Sequence, residues 1–223
     1  MTKGKMTRII MGINVLVFIL MTVSGGSQNT GTLLKFNAMN KALVFQGEWW
    51  RMFCAIFIHI GFFHLLMNMY FLNNVGGTFE MLFGSRNFLI IYILTGLMGN
   101  LLSYAFGDLN TVSAGASTSL YGMFGLALGI MINYRDNDIL RQFGSSFITI
   151  IVINVIYSFM VPGIGIRGHL GGLLGGFILA GAFPIMNMEL STTTRVISLV
   201  AYVAIALGFI YIGNRSVMDL LWK

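Results

Sequence analysis

Charged residues are scarce in this chain, and their scarcity excludes an ordinary soluble domain. Asp, Glu, Lys and Arg make up 9% of the 223 residues, whereas soluble proteins carry roughly a quarter. The chain has one cysteine, Cys54, so a disulfide within the chain is excluded. It has only 2 prolines against 28 glycines, a balance that suits membrane helices because small residues let them approach closely.

Apolar residues are what the chain has in abundance. They make up 57% of it, and the mean hydropathy is +0.83. Several apolar runs approach the ~20 residues that a helix needs to cross a bilayer, so we predict an all-α polytopic membrane protein. The net charge of +6 would suit a nucleic-acid binder, but the basic residues are scattered and form no stripe. We interpret them as flanks of membrane spans and expect no nucleic-acid partner.

Seven membrane spans are predicted from the apolar runs. They lie at 8–24, 64–83, 87–106, 115–133, 146–161, 168–186 and 195–213. Lys3, Lys5 and Arg8 precede the first span and place the N-terminus in the cytoplasm, although the bias over the remaining helix ends is weak. No small-x-small cleavage site follows the first apolar run and many spans do, so we expect that run to be a retained helix.

The loop between the first two spans contains an unusual segment at 44–63. It is rich in aromatic and aliphatic residues, and we predict that it lies at the membrane interface with Trp49 and Trp50 at headgroup level. The alternative is an eighth span. Arg51 and His59 make that alternative unattractive, because charged and polar side chains are costly at membrane depth.

Polar residues open three of the predicted spans. His64 and Asn68 open the second, Ser117 the fourth and His169 the sixth. With the N-terminus inside, all three spans start on the outer side, so these residues share one shallow depth. Polar groups at such depth usually mark function. Tyr121, four residues after Ser117, lies on the same helical face.

The combination of Ser117 and His169 predicts nucleophilic catalysis. A serine hydroxyl needs a neighbouring base, and imidazole titrates near neutral pH. The Ser117 backbone N–H, the Asn68 amide and the His64 ring could stabilise an oxyanion. The carboxylates of Glu80 and Asp108 are not at this depth, so we expect a Ser–His pair without an acidic third member.

Other interpretations of the same residues remain open at this point. Ser119 lies in the same first turn as Ser117 and could compete as nucleophile, and a lone serine in a membrane helix is most often a packing residue. His59, His64 and His169 could bind a metal, but no His-Glu-x-x-His motif or carboxylate cluster completes a site. We expect no metal and no other cofactor.

A family resemblance rests on several of these motifs together. They are Trp50-Arg51, His59, His64-x-x-x-Asn68, Glu80, Gly115-Ala-Ser117, Tyr121 and Gly168-His-x-x-Gly172. In this set the chain resembles the rhomboid family of intramembrane serine proteases over residues 8–186. The resemblance implies that Ser117 is the nucleophile, His169 the base, and His64 with Asn68 part of the oxyanion hole. It also implies that Tyr121 supports the base by packing on its imidazole.

The resemblance implies the architecture as well. We expect a rhomboid-like six-helix core at 1–186, including the outer loop at 25–63, and an additional seventh helix with a tail at 187–223, as in a bacterial subclass. Structural roles are expected for Trp50, Arg51, His59, Glu80 and Gly172. The chain departs from the usual motifs at Thr118, where glycine commonly follows the serine, and at Gly168, where alanine commonly precedes the histidine.

The function implied by the resemblance is cleavage of single-pass transmembrane proteins in or near their transmembrane helix. The expected setting is the bacterial plasma membrane, with membrane lipid around the chain and the site open to the outer side. A lateral opening near span five, at 147–161, is expected by analogy. Two alternatives are a proteolytically silent relative that binds transmembrane clients and a small transporter, which would need polar residues through the whole membrane depth.

Overall fold

The computed structural model describes residues 4–161, 163, 165–185 and 188–221. Within these ranges the helices are α1 (Lys5–Val23), α2 (Thr30–Lys35), α3 (Lys41–Phe45), α4 (Arg51–Cys54), a 3-10 turn (Ala55–Phe57), α5 (Phe62–Phe83), α6 (Ser85–Phe106), α7 (Ser117–Asn133), α8 (Asp138–Ser146), α9 (Ile148–Met160), α10 (Ile166–Leu179) and α11 (Thr192–Leu221). The predicted all-α class is confirmed, and each of the seven predicted spans overlaps one helix, in chain order α1, α5, α6, α7, α9, α10 and α11.

The helices that match the predicted spans differ in length and apolar content, and therefore in whether each one could cross a membrane alone. In the described part of the chain, four segments are long and apolar enough: Lys5–Val23, Ser85–Phe106, Asp138–Met160 and Thr192–Leu220. Arg51–Phe57 and Phe62–Phe83 meet the same test as a pair and are bent by 84° at their junction. The remaining two, α7 and α10, are apolar but have only 17 and 14 residues. These two short helices carry Ser117 and His169.

Glycines bring α7 and α10 into backbone contact. A Cβ added to Gly172 would stand 2.0 Å from the Thr118 carbonyl oxygen, and one added to Gly176 would stand 1.8 Å from the Gly122 oxygen. On a second face of α10, a Cβ on Gly175 would meet Met98 of α6 at 2.8 Å. The glycines of α10 therefore let it pack closely between α6 and α7.

The loop at 24–61 folds into short helices rather than a straight eighth span. Trp49 and Trp50 are 40% and 54% exposed, and their position at the membrane interface stays a prediction. Arg51 is buried, and it donates to the Glu48 carboxylate and to the carbonyls of Leu34 and Ala38. Its charge is thus satisfied inside the loop.

A two-residue antiparallel pairing joins this loop to the segment before α7. Strand β1 (Met39–Asn40) pairs with β2 (Val112–Ser113), in the register Met39 to Ser113. The sequence did not predict it, because two residues are too few to show the alternation of a strand.

Three helical segments differ from the predictions. Helix α10 ends at Leu179, seven residues before the end predicted for the sixth span at 186. The segment between the fourth and fifth predicted spans contains a further helix, α8, which Asn137 caps by accepting from the Leu140 N–H at 3.1 Å. Helix α11 continues eight residues beyond the predicted end at 213. It does so because Gly213 lies against the Tyr104 ring and Asn214 accepts from the Tyr104 hydroxyl at 2.5 Å, so the polar residues are bound to α6.

Two features used in the predictions lie outside the described residues. They are Lys3 and the domain boundary predicted between 186 and 187.

The start of α1 is fixed by Glu80. Its carboxylate accepts from the backbone N–H groups of Met6 and Thr7, from the Thr7 hydroxyl and from Ser85. A carboxylate at a helix N-terminus also interacts favourably with the helix dipole. This end of α1 is therefore held to the turn between α5 and α6.

Candidate active site

Ser117 and His169 lie within hydrogen-bond distance of each other. Ser117 is the first residue of α7, and His169 lies one turn into α10. The Ser117 Oγ and the His169 Nε2 are 3.0 Å apart, which is the separation expected between a nucleophile and its base. The close glycine packing of α7 on α10 makes this distance possible. Two separate helices thus bring together the hydroxyl and the imidazole that the sequence singled out.

Tyr121 stacks on the His169 ring. The ring centroids are 4.0 Å apart and the planes are inclined by 9°. Tyr121 is one helical turn after Ser117 on α7, so one helix carries both the hydroxyl and the stacking ring. The Tyr121 hydroxyl is anchored on α9, 2.8 Å from both the Asn154 carbonyl oxygen and the Ser158 Oγ. The orientation of the imidazole plane is thereby fixed.

Ser158 is the site residue that the sequence analysis missed. Its Oγ is 2.9 Å from the His169 Nδ1, on the side of the ring away from Ser117. Ser117 and His169 therefore have a third polar neighbour, and it is a hydroxyl rather than a carboxylate. The signal in the sequence was weak: Asn154 and Ser158 are two polar residues, four apart, near the end of an otherwise apolar span.

Two histidines shape the segment before Ser117. The Ala116 N–H donates to the His59 Nε2 at 3.4 Å, and His59 is fully buried. Gly115 has a φ of +143°, and an added Cβ would stand 2.8 Å from the His64 Nε2. Glycine is therefore required at 115 both by its backbone conformation and by the close approach of the His64 ring.

The expected oxyanion donors line the same cavity as Ser117. His64 and Asn68 both belong to its wall, on α5. Asn68 donates one Nδ2 hydrogen to the His64 carbonyl at 2.8 Å, and its amide carries a second hydrogen. The Ser117 N–H lies in the first turn of α7, where helical N–H groups have no intrahelical acceptor. The three expected donor groups thus surround one space.

The cavity has a volume of about 710 Å³, within the range of ligand sites, roughly 300–1,000 Å³. Its inner wall is mainly apolar and includes Phe71 and Phe124. Its mouth is polar and includes Asp108, Thr111 and Arg167. Asp108 and Arg167 form a loose ion pair at 3.8 Å, with both side chains largely exposed.

Lys41 also lies at the mouth of the cavity. Its Nζ donates to the carbonyl oxygens of Ala105 at 3.3 Å and Gly107 at 3.0 Å, at the C-terminal end of α6. Burial lowers the pKa of Lys41, the Asp108 carboxylate opposes this effect, and the Arg167 guanidinium adds to it.

The two residues that follow Ser117 contact the neighbouring helices α6 and α10. Ser119 is fully buried and donates to the Tyr92 carbonyl at 2.7 Å, so its hydroxyl is occupied on α6. The Thr118 methyl group rests between Gly99 and Gly168, 2.9 and 3.0 Å from where their Cβ atoms would be. Among the described residues, no three His, Cys, Asp or Glu side chains could hold a metal ion together.

Comparison with known proteins identifies the family of the chain. The family model described as the Rhomboid domain matches residues 46–186. Rhomboid protease GluP of Bacillus subtilis is 38% identical over 214 residues, which are 96% of this chain and 41% of that protein. The putative rhomboid protease YdcA of the same organism is 36% identical over 137 residues, or 61% of this chain and 68% of that protein.

A relative from another kingdom shows the same likeness. Rhomboid-like protease 1 of Toxoplasma gondii is 31% identical over 167 residues, covering 71% of this chain and 54% of that protein. The chain thus spans less than half of the length of the first relative and about half of the third. With the matched domain, the apolar helices and the predicted motifs together, the chain is a multi-pass membrane protein that belongs to the rhomboid family.

Proposed function

We propose that this chain is an intramembrane serine endopeptidase. The observation that carries the proposal is the 3.0 Å contact between the Ser117 Oγ and the His169 Nε2, at the wall of a cavity large enough for a short peptide segment. The names of the relatives, which include rhomboid proteases, support the same reaction class.

The proposed reaction follows from the roles of these two groups. Ser117 Oγ attacks the scissile carbonyl while His169 Nε2 accepts its proton. The negative charge that forms on the carbonyl oxygen is stabilised by the Ser117 N–H, the Asn68 amide and the His64 ring. His169 then gives its proton to the leaving amine, and a water activated by His169 releases the acyl group from Ser117.

The proposed substrates are single-pass transmembrane proteins cleaved in or near the membrane-spanning helix. A helix hides its peptide bonds in internal hydrogen bonds, so the substrate must unwind locally before attack. Segments with small or helix-breaking residues near the interface should therefore be preferred. The polar mouth of the cavity supports water access there, and we assign this mouth to the outer side, with the N-terminus cytoplasmic in a bacterial plasma membrane.

The remaining predicted residues have supporting roles in this proposal. Arg51 and Trp50 hold the outer loop, since Trp50 Nε1 donates to the Asn37 side chain at 3.1 Å. His59 orients the segment before the nucleophile, Glu80 anchors α1, and Gly172 permits helix contact. We divide the chain into a catalytic core at 1–186 and an additional helix with its tail at 187–223.

Cleavage in liposomes tests the proposal directly. Purified protein is reconstituted with a generic single-pass transmembrane substrate, and its Ser117 is also labelled with a fluorophosphonate probe. We expect cleavage and labelling by the native chain, and neither by Ser117→Ala. His169→Ala should lose cleavage as well. Ser119→Ala, which removes the neighbouring hydroxyl, is the matched control for labelling.

Two outcomes of these experiments would contradict the proposed function. Equal labelling of the native chain and Ser117→Ala would overturn the assignment of the nucleophile. A proteolytically silent chain that only binds transmembrane clients would retain the substrate without cleaving it in any variant.

A further inference from the structure

Helix α9 buries one polar side chain, and that side chain contacts the catalytic base. Of the thirteen residues of α9, only Ile151 and Ser158 are buried. Ser158 is 3% exposed, whereas its neighbours Tyr157 and Phe159 are 56% and 69% exposed. A hydroxyl buried at membrane depth on a helix that otherwise faces outward needs a partner, since an unpaired polar group is costly there.

The Ser158 Oγ and the Tyr121 hydroxyl both lie within hydrogen-bond distance of the Asn154 carbonyl oxygen, at 2.7 and 2.8 Å. In one arrangement Ser158 gives its proton to this carbonyl, and its oxygen accepts from the Tyr121 hydroxyl at 2.8 Å and from the His169 Nδ1 at 2.9 Å, so that Nδ1 carries the ring proton. In the other, Tyr121 donates to the Asn154 carbonyl and Ser158 donates to Nδ1.

The first arrangement gives the form of the neutral imidazole that the proposed reaction needs. With its proton on Nδ1, the His169 ring presents the lone pair of Nε2 to the Ser117 hydroxyl. In the other form, Nε2 would carry the proton and could not accept one from Ser117. We propose that Ser158 is a positioning residue that holds His169 in the reactive tautomer and stabilises the imidazolium formed during attack. The proposal rests on the proposed function of Ser117 and His169.

The consequence is a hydrogen-bonded chain that joins three helices. It runs from Ser117 on α7 to His169 on α10 and to Ser158 on α9, with Tyr121 closing the circle back to α7. A carboxylate performs the corresponding task in the Ser-His-Asp arrangement. A neutral hydroxyl can do the same at smaller gain, and it avoids placing a charge among the apolar residues of α9.

Two variants of equal shape isolate the hydroxyl. Ser158→Thr and Ser158→Val both add branching at Cβ, and they differ only in a hydroxyl against a methyl group. In a helix, threonine bonds the carbonyl four residues earlier as serine does. We expect Ser158→Thr to keep kcat within about threefold, and Ser158→Val to lose about tenfold to a hundredfold, the size of one hydrogen bond to an ion.

The readout separates positioning from packing. Loss of the tautomer acts on the chemical step, so KM for the transmembrane substrate should stay within about threefold while kcat falls. The rate of fluorophosphonate labelling of Ser117 should fall in parallel. Ser158→Ala, which adds no volume, should match Ser158→Val. Thr149→Val removes a hydroxyl from the exposed side of the same helix and should leave all rates unchanged.

The measurements distinguish a failure of the Ser158 proposal from a failure of the proposed function. If Ser158→Val and Ser158→Ala retain the native kcat while Ser117→Ala and His169→Ala are inactive, Ser158 has no positioning role and the proposed function stands. If Ser158→Thr and Ser158→Val lose activity equally, with a lower melting temperature, Ser158 acts through packing alone and the inference is overturned. If Ser117→Ala remains active, the proposed function itself fails.

Discussion

At the scale of single residues, the two positions where the chain departs from the usual rhomboid motifs are in contact with each other. The family commonly has glycine where Thr118 follows the nucleophile and alanine where Gly168 precedes the base. The Thr118 Cγ2 lies 3.0 Å from the position that a Cβ on Gly168 would occupy. The larger residue on α7 is therefore accommodated by the smaller one on α10, and the Ser117–His169 distance is preserved.

This contact predicts that the two positions are energetically coupled. In the native background, Gly168→Ala should lower the free energy of unfolding by about 1 kcal/mol, because the added methyl crowds the Thr118 side chain. In a Thr118→Ser background, which removes only the Cγ2 methyl, the same substitution should have a smaller effect. Melting temperatures of the four proteins in detergent form a double-mutant cycle. An equal effect in both backgrounds would show that the contact is not the cause.

At the scale of helices, the site depends on how closely α7 and α10 approach. The closest contact involves Gly176, where an added Cβ would meet the Gly122 carbonyl oxygen at 1.8 Å. A backbone carbonyl cannot rotate away as a side chain can, so the two helices would have to separate. Separation at Gly176 would also move His169, seven residues earlier on α10, relative to Ser117.

Gly176→Ala should therefore reduce both stability and activity. We expect a loss at the upper end of about 1–3 kcal/mol in unfolding free energy, and at least a tenfold lower labelling rate at Ser117, since small displacements of reacting groups are costly. Gly208→Ala is the matched control, because nothing lies within 4 Å of its added Cβ on α11. It should be neutral or slightly stabilising, as alanine favours a helix over glycine. If Gly176→Ala and Gly208→Ala changed the unfolding free energy and the labelling rate equally, the packing argument would be wrong.

The helices and the Ser117–His169 contact could be predicted because their signals are local and redundant. Long apolar runs define the spans, and the motifs around Ser117, His64 and His169 have fixed spacings. Ser158 could not be predicted with them. A serine in an apolar span is most often bonded to its own helix, and the sequence does not say which side of α9 faces His169.

Tertiary contacts explain the other differences between the sequence-based expectation and the fold. The Gly213-Asn214 pair resembles a helix end, but both residues contact Tyr104 of α6, so α11 continues. The β1–β2 pairing forms between segments about seventy residues apart, and neither segment is long enough to show a strand pattern. In both cases the deciding partner is distant in the sequence.

At the scale of the whole molecule, the loop at 24–61 contacts the segment that leads into Ser117. Asn100 of α6 donates to the Met52 carbonyl at 2.7 Å, which holds the loop on the helical core. The loop in turn binds the segment before Ser117, because the Gly115 N–H donates to the Ala55 carbonyl at 2.9 Å. The position of Ser117 is thus set by this loop as well as by α10.

Lys41, in the loop at 24–61, should make the stability of the protein depend on pH. The pKa of Lys41 is lowered from its ordinary value of 10.5, chiefly by burial. The folded state therefore binds fewer protons than the unfolded state between the lowered value and 10.5. Stability contributed through Lys41 must rise with pH across that window, because the unfolded chain releases its proton only near 10.5.

Lys41→Met tests whether this stability rises with pH, because the substitution keeps the length of the side chain and removes the titrating group. Melting temperatures of the native chain and the variant are measured in detergent at pH values from about 8 to about 10.5, the ordinary range below and up to the lysine pKa. Subtracting the variant cancels the titration of the other groups. We expect the melting temperature of the native chain, relative to that of Lys41→Met, to increase with pH. A relative melting temperature that falls over the same window would mean that the charged Lys41 ammonium, bound to the Ala105 and Gly107 carbonyls, is favoured by folding.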